Sequence, residues 1–491
     1  MEPQVSPSAE DVAQSAVRLG GWSLLGLFGV VVGAVPFLAL LGLVQVRWAP
    51  LERLDTGTAD WLNATVADSQ LSVRILSIVS EAGGGATASF LMAVAVVCLL
   101  IRRRHRLAAY VAVAGVGLAV LVPVTKALIG RTRPDVPLPV VDIPTNASFP
   151  SGHAMTALVT WGVLLLVLLP GLRPTARRWW TVATSVLVLV VGFTRVALGV
   201  HFVSDVLAGW ALGIAWLAVV TLAFRQWLRT RGEPVHPVGT GVVTGAVADG
   251  SVPALPDGRR TVVGIAIGAV AVLAVVTVLG LVVARLLGSG WLARADSAVV
   301  TAAVELRSPD LTPVVHAVGS LAGLWGVITA TVAAAAVAAA YTRSWRPVVL
   351  LVLAVAGEVL LYSTSAAVVG RARPDVPDLT QGLPVAASFP SGHAAAATVV
   401  YGGIALFVAA CTRARWRWAV VVAAVVVVLA VGASRVYVAA HRPSDVVAGF
   451  LLGALWLAVL HRALLTASPP DDLPGPRPSA RAATPSRGAT V

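Results

Sequence analysis

Apolar runs close to twenty residues long recur along nearly the whole chain, at roughly 22–46, 85–101, 107–130, 153–171, 179–200, 205–224, 261–284, 324–341, 347–369, 393–411, 418–440 and 445–463. A helix needs about 20 apolar residues to cross a bilayer. The runs therefore predict an all-α integral membrane protein with about twelve transmembrane helices. Of 491 residues only 12% are charged, about half the share in an ordinary soluble domain. The first run exceeds the h-region of a signal peptide, and acidic Glu2, Glu10 and Asp11 precede it, so it reads as a helix of the fold.

A net charge of +13 raises the question of nucleic acid, and the placement of the charge answers it. Arginines gather in alternate short loops: Arg102, Arg103, Arg104 and Arg106; Arg173, Arg177 and Arg178; Arg225, Arg229 and Arg231; Arg343 and Arg346; Arg413, Arg415 and Arg417. This is the positive-inside pattern. It predicts a multi-pass protein of a bacterial cell membrane with both termini cytoplasmic and no nucleic-acid partner. The remaining loops, around 131–152, 201, 370–392 and 441, then face outward. Cys98 and Cys411 both lie in apolar runs and offer neither a disulfide framework nor metal-ligand spacing.

The polar residues inside this apolar background occur twice. Lys126, Arg131, Arg133-Pro134, Pro150-Ser151-Gly152-His153, Arg195, His201 and Asp205 form one set; adding 240 gives Ala366, Arg371, Arg373-Pro374, Pro390-Ser391-Gly392-His393, Arg435, His441 and Asp445. Ionisable residues within membrane segments are costly and usually functional. The expected organisation is an N-terminal cytoplasmic segment (1–20), a first six-helix domain (21–224), a polar linker (225–260), a second six-helix domain (261–463) and a disordered tail (464–491). An even helix number makes the two bundles parallel repeats.

The first set suits phosphate chemistry. Pro150-Ser151-Gly152-His153 opens a helix, whose free N–H groups make an anion site. Lys126, Arg133 and Arg195 supply cationic donors for a tetrahedral oxyanion. Of two histidines, one can attack phosphorus while a carboxylate holds its other nitrogen, and the second can protonate the leaving group. His201 and Asp205, four apart, share a helix face. No carboxylate cluster suited to Mg²⁺ accompanies them, so neither metal nor cofactor is expected. Arg131 is expected to meet substrate or lipid headgroups.

The two sets resemble the type-2 phosphatidic acid phosphatase and vanadium haloperoxidase superfamily, with its pattern Lys-x6-Arg-Pro, Pro-Ser-Gly-His and Ser-Arg-x5-His-x3-Asp. Thr194 stands for the serine in the first set, and Ala366 for the lysine in the second. The resemblance implies that His201 is a nucleophile forming a phosphohistidine, Asp205 its partner and His153 the acid and base. It implies that Lys126, Arg133, Ser151, Gly152 and Arg195 hold phosphate. In the second set it gives His441, His393 and Asp445 the catalytic roles and Arg373, Ser391, Gly392 and Arg435 the phosphate contacts.

The expected function is hydrolysis of lipid phosphates or polyprenyl diphosphates at the outer face. A vanadate-dependent haloperoxidase and a lipid-phosphate binding or transport protein with a degenerate second site are the alternatives. Arg442, where the first half has Phe202, is expected to compensate in part for the missing lysine. Glu358, where the first half has Leu118, is read as a buried carboxyl hydrogen-bonded between helices, with Tyr362 as a candidate partner.

Overall fold

The computed structural model describes residues 28–230, 258–286, 290–377, 379 and 387–464. The expected N-terminal segment, most of the linker and the tail beyond Leu464 lie outside the described residues. The chain divides into two compact units, residues 1–249 and 250–491, with no strand among the described residues.

The first unit runs through α1 (Phe28–Gln45), α2 (Ala49–Ala67), α3 (Gln70–Ser80), α4 (Gly85–Ile101), α5 (His105–Ile129), α6 (Gly152–Leu168), α7 (Pro174–Ala197) and α8 (Val203–Arg229). The second repeats the order with α9 (Gly258–Leu281), α10 (Trp291–Glu305), α11 (Leu311–Ser320), α12 (Leu324–Thr342), α13 (Arg346–Val369), α14 (Gly392–Cys411, with a π-helical turn at Thr398–Gly402), α15 (Arg417–Tyr437) and α16 (Pro443–Leu464). Among the described residues, eleven helices are long and apolar enough to cross a membrane. The pair Gln70–Gly83 and Gly85–Ile101, bent by 44° at its break, passes the same length and composition test when taken together and brings the number to twelve if it is counted as one span. Each unit is thus a six-span bundle, and the molecule is a multi-pass membrane protein. Helix α8 continues through 225–229, which composition assigns to the linker.

Before the second span each unit inserts helix that the apolar pattern does not announce, α2 in the first unit and α10 and α11 in the second. Helix α2 carries Glu52, Arg53, Asp55 and Asp60, and α10 carries Arg294, Asp296 and Glu305. Both supply buried acids: Asp55 is 0% and Asp296 2% exposed.

Local rules set the helix ends around the sites. Helices α5 and α13 stop at Gly130 (φ 63°) and Gly370 (φ 61°), whose N–H groups bond the Lys126 and Ala366 carbonyls; a left-handed cap suits glycine. Ser151 and Ser391 cap α6 and α14 through their hydroxyls, as serine commonly does. Asp205, in the first turn of α8, reaches back to the Phe202 N–H at 3.0 Å. Away from these ends the cores are apolar. Leu107, Tyr110, Val111 and Leu118 of α5 pack with Met155, Val159 and Val163 of α6 and with Phe224 of α8. In the second unit α13, α14 and α16 pack through Leu350, Leu361, Val399, Leu452, Trp456 and Leu460.

Candidate active sites

In each unit the ends of four helices converge. The loop after α5 is tied back by Ser148 N–H to the Arg131 carbonyl (2.8 Å), and the start of α6 is tied to α8 by Ser151 N–H to the Asp205 carbonyl (2.9 Å). The second unit repeats both ties, Ser388 to Arg371 at 3.0 Å and Ser391 to Asp445 at 2.9 Å. These main-chain bonds bring Lys126, Arg133, Ser151, Gly152, His153, Arg195, His201 and Asp205 into one site. They bring Arg373, Ser391, Gly392, His393, Arg435, His441 and Asp445 into the other.

In the first site His201 is 2% exposed. Its Nε2 lies 3.3 Å from Arg133 Nη1 and its Nδ1 lies 3.4 Å from Asp205 Oδ2. A guanidinium only donates, so Nε2 is the acceptor and the proton sits on Nδ1, facing the carboxylate. Burial pulls the imidazole down to about 4, against the pull of Asp205, so at neutral pH Nε2 carries no proton and its lone pair faces the Arg133 guanidinium. Arg133 is braced by the Val200 carbonyl (2.6 Å) and by Asn146, whose Oδ1 accepts from Nη2 at 2.6 Å and whose carbonyl accepts from Nε at 3.0 Å. Lys126 Nζ donates to the Ala147 carbonyl at 2.5 Å and to Asn146 Oδ1 at 3.4 Å. Arg195 donates Nη1 to Ser80 of α3 at 2.6 Å, while its buried Nε has no partner among the described residues. A buried unpaired donor is rare in folded proteins and calls for an acceptor. His153 lies within electrostatic range of Arg195, His201, Lys126 and Arg133. The site can therefore seat a polyanion between three cations with a neutral imidazole beside it.

Three expectations need correction. Arg131 is engaged inward, bridging two buried carboxylates, Nη1 to Asp205 at 2.6 Å and Nη2 to Asp55 at 2.8 Å. Arg442 does not replace the lysine, because its Nη1 donates to the Ala372 carbonyl at 2.5 Å and its Nη2 to the Arg373 carbonyl at 3.2 Å. Glu358 is buried at 3% exposure and makes no hydrogen bond to Tyr362. The Tyr362 ring instead covers Gly392, its Cζ 3.0 Å from where a Cβ would stand, much as Val122 and Lys126 cover Gly152.

In the second site His441 Nδ1 donates to the Ser388 carbonyl at 2.7 Å rather than to Asp445. Burial lowers this imidazole to about 3. Asp445 Oδ2 accepts the Ser388 hydroxyl at 2.6 Å. Arg435 Nε donates to Ser434 Oγ at 3.1 Å, and its guanidinium fills the space left by Gly319 of α11.

Composition and motif spacing miss Asp55, Asp296, Ser80, Asn146, Ser148 and Ser388. A signal existed for some of them. The run Ser-Phe-Pro-Ser-Gly-His is identical at 148–153 and 388–393, and Asn146 is replaced by Ala386 as Lys126 is by Ala366.

Residues 106–229 and 347–468 both match the model of the PAP2 superfamily. Phosphatidylglycerophosphatase B of Bacillus subtilis is 43% identical over 94 residues, 18% of this chain and 45% of that protein. Undecaprenyl-diphosphatase of Sulfolobus acidocaldarius is 35% identical over 79 residues, 16% and 34% of the two chains. Decaprenylphosphoryl-5-phosphoribose phosphatase of Mycobacterium tuberculosis is 39% identical over 97 residues, 19% and 49%. The chain spans about half or less of these relatives' length. The crystal structure of a transmembrane PAP2-type phosphatidylglycerolphosphate phosphatase from Bacillus subtilis aligns at 29% identity with a TM-score of 0.36, covering 39% of this chain and 94% of that one. With two matched regions that together make up half of its length, each carrying one convergent polar site, the chain belongs to the PAP2 superfamily.

Proposed function

We propose that the chain is a lipid-phosphate phosphatase whose first unit works through a phosphohistidine on His201. The observation that carries this reading is a buried neutral imidazole, Nδ1 towards Asp205, sharing a site with Arg133 and with the unpartnered Nε of Arg195. In the reaction His201 Nε2 bonds to phosphorus as the bond to the lipid oxygen breaks, and His153, held as imidazolium by the bound phosphate, gives its proton to that oxygen and becomes neutral. Water then attacks phosphorus, His153 takes its proton, and the P–N bond breaks to release phosphate. Lys126, Arg133, Arg195 and the Ser151–Gly152 main chain hold the oxyanion as charge develops on it. These cations do the work that other phosphatases give to metal ions, so turnover is metal-independent.

Helices enclosing the site favour a substrate whose tail stays in the bilayer. Phosphatidylglycerol phosphate and polyprenyl diphosphates, the substrate types of the relatives, fit this requirement. The arginine-rich loops support a reading in which both sites open to the extracytoplasmic face and the termini are cytoplasmic. The same groups could hold vanadate for halide oxidation, but lipid-phosphate hydrolysis agrees with the relatives.

The test is phosphate release by purified protein from these lipids in EDTA. Turnover that persists in EDTA and is blocked by vanadate is expected; loss of turnover restored by Mg²⁺ would overturn metal independence, and no release from any lipid phosphate would overturn the function. Sidedness is read by single cysteines at 135–147 and 102–106, on a background lacking Cys98 and Cys411. An impermeant reagent in intact cells should reach only the first, and labelling of 102–106 alone would invert the topology.

A further inference from the structure

Behind each histidine lies a buried polar cluster built the same way in both units. Asp55 of α2 accepts Ser204 N–H on Oδ1 (2.9 Å), Ser204 Oγ on Oδ2 (2.5 Å) and Arg131 Nη2 on Oδ2 (2.8 Å). Arg131 Nη1 reaches Ser204 Oγ at 2.7 Å and Asp205 Oδ1 at 2.6 Å. In the second unit Asp296 of α10 accepts Ser444 N–H (3.0 Å), Ser444 Oγ (2.5 Å) and Arg371 Nη2 (3.0 Å), and Arg371 Nη1 reaches Ser444 Oγ (2.7 Å) and Asp445 Oδ1 (2.5 Å). Every pair of equivalent distances agrees within 0.2 Å. Both acids lie outside the regions matched by the family model, 106–229 and 347–468.

From this geometry we propose that Asp55 is a positioning residue for the phosphohistidine chemistry, acting on His201 through Arg131 and Asp205; this rests on the phosphatase reading above. Arg131 alone would neutralise Asp205 and could swing away from it. Asp55 fixes the guanidinium plane with a second, opposed contact and shares its charge between two carboxylates. Two carboxylates and one guanidinium leave one net negative charge in the buried cluster. Positive charge grows on the imidazole as Nε2 bonds to phosphorus, and Asp205 is the carboxylate that faces its Nδ1. Low surrounding dielectric makes that match matter more than it would in water. Burial of the whole cluster also forbids removal of one member without leaving another unpaired.

The test uses full-length protein carrying His441→Ala, so that only the first site reports. Asp55→Asn should lower kcat on phosphatidylglycerol phosphate about tenfold or more, the size expected for losing a charged hydrogen bond, with KM little changed. Vanadate binding, read by ⁵¹V NMR and independent of turnover, should weaken to a similar degree while inorganic phosphate binding stays. Asp55→Glu should recover part of the loss, and Asp55→Asn should add little to Arg131→Ala. If Asp55→Asn does not accumulate, Arg131→Lys, which cannot bridge both acids, should give the same split. Unchanged kcat and vanadate binding, or a loss confined to KM and thermal stability, would overturn the proposal and leave Asp55 a strut between α2 and α8. A parent that binds vanadate without hydrolysing lipid would instead overturn the phosphatase reading and leave the vanadate test of Asp55 intact; one that does neither overturns both.

Discussion

In the first unit the Ser148 hydroxyl donates to the Thr132 carbonyl at 2.9 Å. In the second the equivalent carbonyl, of Ala372, is taken by Arg442, which stands where the first unit has Phe202. The Ser388 hydroxyl turns instead to Asp445, and His441 donates to the Ser388 carbonyl. Ser388 thus stands between a histidine and an aspartate that meet directly in the first unit. The Nδ1 tautomer survives, so His441 Nε2 carries no proton. What is lost is a carboxylate partner, and charge-assisted bonds are about twice as strong as neutral ones. The cations diverge in parallel. Arg195 holds Nε open, whereas Arg435 closes its Nε on Ser434 and sinks beside Gly319, and Lys126 with its clasp Asn146 becomes a pair of alanines. A complete set of motif histidines and aspartates therefore does not make two equal sites; residues beside the motifs decide which hydrogen bonds the motif residues make.

The difference can be broken or sharpened in turn. Lys126→Ala should bring the first site towards the second. A phosphate contact that strengthens in the transition state contributes about 2–4 kcal/mol, or roughly 30- to 1000-fold in rate. Phosphate release at saturating lipid measures it, and a loss below threefold would deny the lysine its place in the comparison.

Repair of the second site should have a smaller effect. In a His201→Ala protein, Ala366→Lys, Arg442→Phe and Gly319→Val together should raise residual turnover by about tenfold, one charged contact's worth. Val79 is the counterpart of Gly319, and its Cβ would displace the Arg435 guanidinium. A triple variant no faster than its parent would show that the differences around His441 are silent.

The smallest effect concerns pH. His201 is lowered to about 4 by burial, so its lone pair is available above that value and is lost as pH falls through it. Once lipid phosphate ionisation is corrected for, kcat/KM should change less than about twofold between pH 5 and 6 and fall near pH 4. An acid limb near 6.5 in a His441→Ala protein, where only the first site turns over, would contradict the buried neutral imidazole.

The spans were legible because hydrocarbon leaves little choice of residue over a membrane-length helix, and α5 to α8 and α13 to α16 lie close to where the apolar runs place them. The motif residues were legible because polar groups stand out in that setting. Asp55 and Asp296 were not, since polar helices α2 and α10 carry no such contrast and the two acids are 241 apart rather than 240. Nor could spacing reveal that Arg131 faces inward to two acids or that Arg442 folds onto the loop. Those outcomes depend on which carbonyls and carboxylates the packed helix ends leave within reach.

The measurement that bears most directly on the inequality of the sites is phosphate release by His201→Ala set beside His441→Ala, both otherwise intact. His201→Ala should cost more than about a thousandfold, as loss of a covalent nucleophile does, and His441→Ala less than about tenfold. Equal losses from the two variants would contradict the account, because they would mean that the Ser388-held histidine turns over substrate as well as its carboxylate-held counterpart.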